Sequence, residues 1–138
     1  MKDKLVILVM GLSGSGKTTL AKKLADLLIC AHINADEVRK EHNDWDFSDA
    51  GRLRQANRIK SLCDKYAVVV CDFIAPKPIH RRIINANIVV WMDTVSSSKY
   101  KDTDALFQPP SEYTYKITEQ NANEWAKKIY NDVKYSKI

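Results

Sequence analysis

The feature that most constrains this chain is a glycine-rich segment at residues 11–18. It reads Gly-Leu-Ser-Gly-Ser-Gly-Lys-Thr and fits the pattern G-x-x-x-x-G-K-[S/T]. An unbroken apolar run, Leu5 to Met10, precedes it, and residues 18–28 place leucines at helical spacing after it. In a strand, glycine loop and helix, the backbone N–H groups and the helix N-terminus point toward bound phosphate. The segment therefore predicts a phosphate-binding loop (P-loop).

Each polar residue of this loop has an expected task, with ATP and Mg²⁺ as the expected cofactors. Glycines at 11, 14 and 16 should adopt positive φ, which turns N–H groups toward the phosphates. Lys17 should reach the β- and γ-phosphates, and Thr18 should bind magnesium through its hydroxyl. Thr19 should contact the region of the α-phosphate or cap the helix. The predicted ATP-binding residues are Gly11, Ser13, Gly14, Ser15, Gly16, Lys17, Thr18 and Thr19.

The rest of the chain alternates apolar strand patterns with helical ones, which is typical of a parallel sheet covered by helices. We predict an α/β P-loop NTPase fold with three α/β/α layers, as one domain over residues 1–138. Residues 94–110 have loop composition and form the candidate mobile segment. The predicted strands are 5–10, 31–34, 67–71, 87–92 and 111–118, and the predicted helices are 18–28, 51–66, 79–84 and a closing helix from about residue 118. That closing helix places Ala122, Trp125, Ala126, Ile129 and Val133 on one face.

Composition excludes several classes of protein. No apolar run approaches the roughly 18 residues of a membrane span, and the N-terminal residues lack the features of a secretory signal, so a cytoplasmic protein is expected. Cys30, Cys63 and Cys71 are odd in number without C-x-x-C spacing, which indicates reduced thiols. The net charge of +5 fits a polyanionic partner, but the charges are spread along the chain. Nucleic acid binding is thus possible but not favoured, and a homodimer stays open.

Three aspartates follow apolar runs, where the carboxyl ends of parallel strands form a cleft. They are Asp36, Asp72 and Asp93. A phosphotransferase needs a carboxylate that orients or deprotonates the accepting hydroxyl. We therefore expect Lys17, Asp36 and Asp72 to be catalytic, with Thr18 and Asp72 holding magnesium. The alternative for each aspartate is a helix cap or a turn residue.

Several separate segments resemble the adenylylsulfate kinase family. Residues 11–19 are very similar to its P-loop, and Ile33 to Arg39 resembles its segment with aspartate, glycine, aspartate and arginine. Asp46-Phe47-Ser48 followed by Arg52 is similar to its glycine-phenylalanine-serine stretch. Residues 72–76 resemble its phenylalanine-isoleucine-serine-proline turn, and residues 100–110, with Phe107-Gln108-Pro109-Pro110, faintly resemble the region before its last strand.

The resemblance implies a second site for a nucleotide-like acceptor. By that resemblance Asp36 would orient or activate the 3′-hydroxyl of adenylylsulfate, Arg39 and Arg52 would grip its phosphosulfate, and Phe47 would stack on adenine. Paired guanidiniums suit oxyanions, and an aromatic face suits a purine. An ordinary core aromatic is the alternative for Phe47, and a solvated helix face for Arg52. The implied substrate-binding residues are Asp36, Arg39, Phe47, Arg52, Gln55, Phe73 and Ile74.

The chain also departs from the family pattern. Asn34 and Ala35 replace an acidic residue and a glycine, Gln55 replaces an asparagine, and Asp72 replaces a small residue. In place of a long basic lid the chain has Val95 to Leu106, with no arginine after Arg82.

The leading expectation is ATP-dependent phosphorylation of a hydroxyl on a nucleotide-like small molecule, with adenylylsulfate first. The alternatives are a kinase of another small acceptor or of a polynucleotide 5′-hydroxyl, which the basic helix from Arg52 to Lys60 permits, and an ATP-binding protein without turnover.

Overall fold

Five parallel strands form the centre of the chain, in the spatial order β2-β3-β1-β4-β5. The structure is a computed structural model that describes residues 4–136, so the ends of the predicted domain, 1–3 and 137–138, lie outside the described residues. The strands are β1 Leu5–Met10, β2 Ala31–Asn34, β3 Val68–Asp72, β4 Ile88–Met92 and β5 Tyr115–Ile117. The helices are α1 Lys17–Leu28, α2 Ala35–His42, α3 Asp49–Cys63, α4 Pro78–Ile84, α5 Lys101–Leu106 and α6 Ala122–Ser136.

The central strand β1 is buried on both faces, which explains its unbroken apolar sequence. Val6, Leu8 and Met10 pack on one face with apolar residues of α2, α3 and α4. Ile7 and Val9 pack on the other face with α1 and α6. The predicted three-layer P-loop fold is confirmed.

Strand register brings the ends of the central strands together. Val9 lies opposite Asp72 of β3, and Met10 lies opposite Trp91 of β4. Because all strands run the same way, the glycine loop after β1, Asp72 and the residues after β4 share one edge of the sheet. This edge carries the candidate site.

Helix α2 was not predicted. Its first turn is capped by the Asn34 side chain, which accepts a hydrogen bond from the Glu37 backbone N–H at 2.9 Å. Acidic residues lie in the first turn and basic ones in the last, and these charges interact favourably with the helix dipole. Apolar periodicity missed the helix because Val38 is its main apolar contact with the core.

In the sequence Leu53, Ala56, Ile59 and Leu62 recur every three residues and predict the buried face of α3. This prediction is wrong in part, and the helix spans Asp49–Cys63 rather than residues 51–66. Leu53 is 37 % exposed, whereas Arg52 is 4 % and Gln55 is 1 % exposed. The inner face of this helix therefore includes polar residues, which a search for apolar residues cannot find.

The predicted basic edge of α3 is also altered. Arg54 and Arg58 form ion pairs with Asp44 at 3.1 Å and 2.7 Å. The hydrogen bonds from Arg54 hold the pKa of Asp44 well below its ordinary value. Arg52 is buried, and Arg54 and Arg58 are ion-paired, so the predicted edge presents little unpaired positive charge to solvent.

Residues 94–110, predicted to be loop, contain α5. The Asp104 carboxylate accepts hydrogen bonds from the backbone N–H and the hydroxyl of Ser98, at 2.7 Å and 2.6 Å. These bonds fold the segment back on itself and give α5 a local anchor. The last strand is shorter than the predicted 111–118, and α6 begins at Ala122 rather than near residue 118.

The three cysteines are free thiols, as predicted; Cys63 and Cys71 are buried and Cys30 is half-buried. No helix within residues 4–136 combines the length and the apolar character needed to cross a lipid bilayer.

A buried histidine predicts how stability depends on pH. His80 is 2 % exposed, and its Nδ1 accepts a hydrogen bond from the Lys77 backbone N–H at 3.2 Å. Burial, reinforced by nearby cations, lowers the pKa of His80 from 6.5 to about 4. Between these values the unfolded chain binds a proton that the folded chain does not. The free energy of unfolding should therefore fall as pH falls from about 6.5 to about 4, by up to about 1.4 kcal/mol per pH unit.

Urea unfolding at about pH 7 and about pH 5 measures this effect. His80→Gln should flatten the pH dependence, whereas His42→Gln, at an exposed position, should leave it unchanged. Equal pH dependence in the His80→Gln variant and the original chain would contradict the prediction.

Candidate functional site

The glycine loop has the backbone conformation predicted for it. Gly11, Gly14 and Gly16 have φ of +148°, +84° and +98°, values at which a side chain is disfavoured. A Cβ atom on Gly11 would lie 2.5 Å from the backbone oxygen of Met92. The loop is therefore pressed against the end of β4.

Two side chains from distant parts of the sequence hold the loop from outside. The Thr94 hydroxyl donates to the Ser15 carbonyl at 2.7 Å, and the Gln120 amide donates to the Gly14 carbonyl at 3.2 Å. The Ser15 hydroxyl is itself buried and lacks a hydrogen-bond partner within the described residues. A buried hydroxyl of this kind suits a ligand that brings its own polar atoms.

Lys17, Thr18 and Asp72 lie together, as the sequence predicted. The Thr18 hydroxyl donates to Asp72 Oδ1 at 3.2 Å. Lys17 Nζ donates to the Leu12 carbonyl at 3.0 Å. Burial lowers the pKa of Lys17, while Asp72 and Asp36 oppose that shift. The lysine is thus partly desolvated between two carboxylates, beside the glycine loop.

Two further residues, missed from the sequence, fix the Asp72 carboxylate. Asn34 Nδ2 donates to Thr18 Oγ1 at 3.2 Å and to Asp72 Oδ1 at 3.0 Å. His32 Nε2 lies 2.5 Å from Asp72 Oδ2. Asn34 lies opposite Asp72 in the register of β2 and β3, and His32 is two residues earlier on the same strand. This period-two spacing of polar residues was the available signal.

The Thr18 hydroxyl and the Asp72 carboxylate are hard oxygen donors, which suit Mg²⁺. No group of three or more histidines, cysteines, aspartates or glutamates forms a metal site in the part of the chain that is described. Phosphate oxygens and water would therefore have to supply the other ligands, as magnesium commonly requires.

The residues predicted to bind substrate line one cavity, which we call the arginine cavity. Its volume is about 50 Å³, which is room for only a few water molecules. Its walls include every residue assigned to the substrate by resemblance: Asp36, Arg39, Phe47, Arg52, Gln55, Phe73 and Ile74. Residues that the sequence did not indicate complete the walls: Ala35, Trp45, Pro76, Tyr100 and Thr103. The structure thus brings these residues together, while their roles stay predictions.

Two buried arginines flank Phe47. The guanidinium carbons of Arg39 and Arg52 lie 4.4 Å and 5.5 Å from the centre of the Phe47 ring. Phe47 is 39 % exposed, so it is not a core aromatic, and the burial of Arg52 rules out a solvated helix face.

Neutral atoms accept the hydrogen bonds of these arginines. Arg39 Nη1 donates to the Asp44 and Asp46 carbonyls at 2.9 Å and 3.3 Å. Arg52 donates to the Phe47 carbonyl at 2.8 Å and to the Thr103 hydroxyl at 3.1 Å. Burial lowers the pKa of both, yet an arginine stays charged at neutral pH. Neither forms an ion pair with a carboxylate of residues 4–136, so the cavity contains two guanidinium charges, with Asp36 as the one carboxylate in its walls.

Gln55 and Asp36 add polar groups to the cavity. Gln55 Nε2 donates to the Ala35 carbonyl at 2.7 Å, which fixes the amide. Its Oε1 is buried and has no hydrogen-bond partner among the described residues. Asp36 lies exposed in the first turn of α2, close enough to Lys17 to oppose the fall in its pKa. Asp93, the third aspartate after a strand, instead lies 3.8 Å from Lys116 in an exposed ion pair.

The segment that replaces a long lid covers the cavity. Tyr100 lies just before α5, and its ring centre is 6.1 Å from that of Phe47 with a tilt of 31°. Thr103 of α5 is the buried partner of Arg52. The short helix therefore closes one side of the arginine cavity.

A further pocket, which we call the Trp125 pocket, lies on the other side of the glycine loop. It has a volume of about 220 Å³ and lies beside Gly16 and Thr19. Its other walls are Leu20, Met92, Ile117, Gln120, Asn121, Ala122 and Trp125. These residues come from three separated parts of the sequence, so no local motif indicated the pocket.

The fold and the glycine loop define a protein of the P-loop kinase fold. The chain belongs to the AAA domain family, whose model matches residues 6–78. It is similar to a probable gluconokinase of Mus musculus, with 34 % identity over 74 residues that span 54 % of this chain and 40 % of the mouse protein. The chain spans less than two thirds of the length of the curated relatives it matches.

Solved structures extend the similarity over the whole chain. The adenylylsulfate (APS) kinase CysC of Mycobacterium tuberculosis, in complex with AMPPNP and APS, has a TM-score of 0.80 at 19 % identity, covering 97 % of this chain and 99 % of that one. Shikimate kinase from Acinetobacter baumannii, in complex with shikimate, has a TM-score of 0.69 at 20 % identity, covering 99 % and 97 %. At these identities the likeness shows the fold.

Glycine substitutions test the loop geometry. Gly11→Ala should destabilise the chain by about 2 kcal/mol or more, because its Cβ meets a backbone oxygen that cannot turn away. Gly14→Ala is the matched control: its φ is also positive, but the added Cβ meets nothing within 4 Å, so only about 1 kcal/mol of backbone strain is expected. Urea unfolding compares the two, and equal losses would contradict the packing described.

Proposed function

We propose that this chain is an ATP-dependent kinase that phosphorylates a hydroxyl of a small anionic molecule, with adenylylsulfate as the leading acceptor. One observation carries the proposal. A P-loop and a cavity with two buried arginines that form no ion pair within residues 4–136 lie at the same edge of the sheet, and Asp36 lies near enough to both to influence the pKa of Lys17 and of Arg39. This arrangement suits a donor phosphate on one side and a negatively charged acceptor on the other.

On the donor side, the glycine loop would hold the phosphates of ATP. Lys17 would leave the Leu12 carbonyl and bind the β- and γ-phosphates, where its charge stabilises the transferring group. The Trp125 pocket adjoins Gly16 and Thr19 and offers an aromatic and two amide side chains to the base.

Thr18 and Asp72 would hold Mg²⁺, which when bound neutralises phosphate charge. His32 and Asn34 would keep the Asp72 carboxylate in one orientation, because His32 bonds Oδ2 and the Asn34 amide donates to both oxygens.

On the acceptor side, the arginine cavity favours an anion. Arg39 and Arg52 are buried without an ion pair among residues 4–136, so an anionic ligand could form one with each of them. The relatives and structural neighbours are named for gluconate, shikimate and adenylylsulfate, each an anion that carries hydroxyl groups. Asp36, at the open side of the cavity, would accept or orient the proton of the reacting hydroxyl.

The aromatic side chains favour adenylylsulfate among these acceptors. The centres of the Phe47 and Tyr100 rings lie 6.1 Å apart at a tilt of 31°, so an outward shift of Tyr100 would admit a flat base between them. Gln55 Oε1, which lacks a hydrogen-bond partner among the described residues, can accept a hydrogen bond from a donor on that ligand. A hydroxy-carboxylate is the second candidate, since the gluconokinase and shikimate kinase similarities favour it.

Transfer from radiolabelled ATP tests the proposal. We expect phosphorylation of adenylylsulfate, and a loss of about 100-fold or more in Lys17→Ala because a charge on the transferring phosphate is removed. Asp36→Asn should reduce kcat by about 100-fold while changing ATP affinity little. Lys23→Ala, on the same helix as Lys17, is the control and should behave like the original chain.

The acceptor panel separates the alternatives. Turnover on gluconate or shikimate alone would reject adenylylsulfate but keep the kinase, and turnover on an oligonucleotide 5′-hydroxyl would reject a small acceptor. ATP binding without transfer to any acceptor would show a nucleotide-binding protein without turnover and overturn the proposal. An unaffected Asp36→Asn rate would remove that residue as base.

The Trp125 pocket gives a separate prediction for the donor base. Trp125→Ala should weaken ATP binding by about tenfold, because stacking and burial of the base are lost. Binding of inorganic tripolyphosphate, which has no base, should be unchanged. Isothermal titration measures both ligands, and equal weakening of the two would place the base elsewhere.

A further inference from the structure

Arg81 of α4 lies behind the arginine cavity and belongs to none of the groups described above. Its Nε donates to the Ala75 carbonyl at 2.9 Å, and its Nη2 donates to the Pro76 carbonyl at 3.2 Å and to the Gln108 carbonyl. Its guanidinium carbon lies 5.5 Å from the centre of the Phe107 ring. One side chain thus contacts two chain segments, residues 75–76 and residues 107–108.

These two segments both matter for the cavity. The first is the turn after β3, whose Phe73, Ile74 and Pro76 line the cavity. The second directly follows α5, which contributes Thr103 and follows Tyr100. A backbone bond from the Gln108 N–H to the Pro76 carbonyl, at 2.7 Å, lies beside the arginine. Arg81 therefore joins the wall of the cavity to the end of its cover.

Burial of the Arg81 guanidinium costs free energy, which its contacts must offset. Burial lowers the pKa of Arg81 to about 10, and no carboxylate of residues 4–136 forms an ion pair with it. Ala75, which accepts its Nε bond, is buried and has φ of +48°, a left-handed conformation that a non-glycine residue rarely adopts. Three carbonyl bonds from one guanidinium hold this strained turn in place.

We infer that Arg81 is a positioning residue that fixes the C-terminal end of the α5 segment to the cavity wall, so that Tyr100 and α5 open and close from an anchored hinge at residues 107–108. The small cavity volume requires such opening before an acceptor enters. The side of α5 nearer Tyr100 meets the rest of the chain through the Tyr100 ring and one hydrogen bond from Arg52 to the Thr103 hydroxyl. Residues 107–108 have more contacts: the Gln108 carbonyl accepts from Arg81, the Gln108 N–H donates to the Pro76 carbonyl, and the Phe107 ring packs on Arg81. The acceptor part of this inference rests on the proposed kinase function.

The experiment compares Arg81→Ala and Arg81→Lys with Arg82→Ala, a matched control at the neighbouring exposed position of α4. Amide hydrogen exchange without any ligand is the first measurement. We expect faster exchange over residues 98–108 in Arg81→Ala, unchanged exchange in β1 and α1, and no change in Arg82→Ala. Arg81→Lys should lie between, because one ammonium cannot make the same three bonds.

Steady-state kinetics are the second measurement. In Arg81→Ala the acceptor KM should rise about tenfold, the loss expected for charged hydrogen bonds, while the KM for ATP stays within about twofold. Unchanged exchange over residues 98–108 would overturn the inference. So would equal rises in both KM values, or lost protection in β1 of both Arg81 variants, because either shows a role in general stability. If the original chain phosphorylates no acceptor, the proposed function fails, and the exchange data still decide whether Arg81 anchors the segment.

Discussion

The site depends on one buried carboxylate, Asp72, at the end of β3. Strand register places it beside the glycine loop and opposite Asn34 of β2, so its oxygens reach Thr18, Asn34 and His32 at once. A buried carboxylate is tolerated only when its oxygens are bonded, and these partners provide the bonds. The same interactions that make the charge tolerable also fix β2 and the first turn of α1 relative to each other. Stability and the geometry of the candidate donor site therefore have a common origin.

The buried charges on the acceptor side are bonded differently from that of Asp72. Arg39 and Arg52 are buried with carbonyls and a hydroxyl as direct partners, so their hydrogen bonds are satisfied but neither is in an ion pair. A carboxylate bonded directly to either guanidinium would stabilise the empty protein but would compete with an anionic ligand. The lack of such a bond fits the anionic acceptor proposed above.

The predictable parts of the structure are those set by local sequence. The glycine loop needs only neighbouring residues, and the central strands are buried on both faces, so their patterns were clear from the sequence. The burial of Arg52, the bond from His32 to Asp72 and the contact of Tyr100 with Phe47 depend on packing between distant segments. Resemblance to a family indicated residues that the structure brings together around the arginine cavity, because a family resemblance carries tertiary information that periodicity lacks. It could not supply α5, where the chain departs from the family.

That departure determines where charge can be neutralised during transfer. A basic lid brings cations over the transferring phosphate, but this chain has no arginine after Arg82, and its cover meets the cavity through Tyr100 and Thr103. Besides Lys99 and Lys101 of the cover, the cations available are Lys17 and the two cavity arginines, and the arginines are hydrogen-bonded in place before a ligand binds. Fixed cations of this kind need little rearrangement when charge develops, which favours catalysis. The cover would then serve mainly to exclude water, and a short helix that is attached at one end is suited to that task.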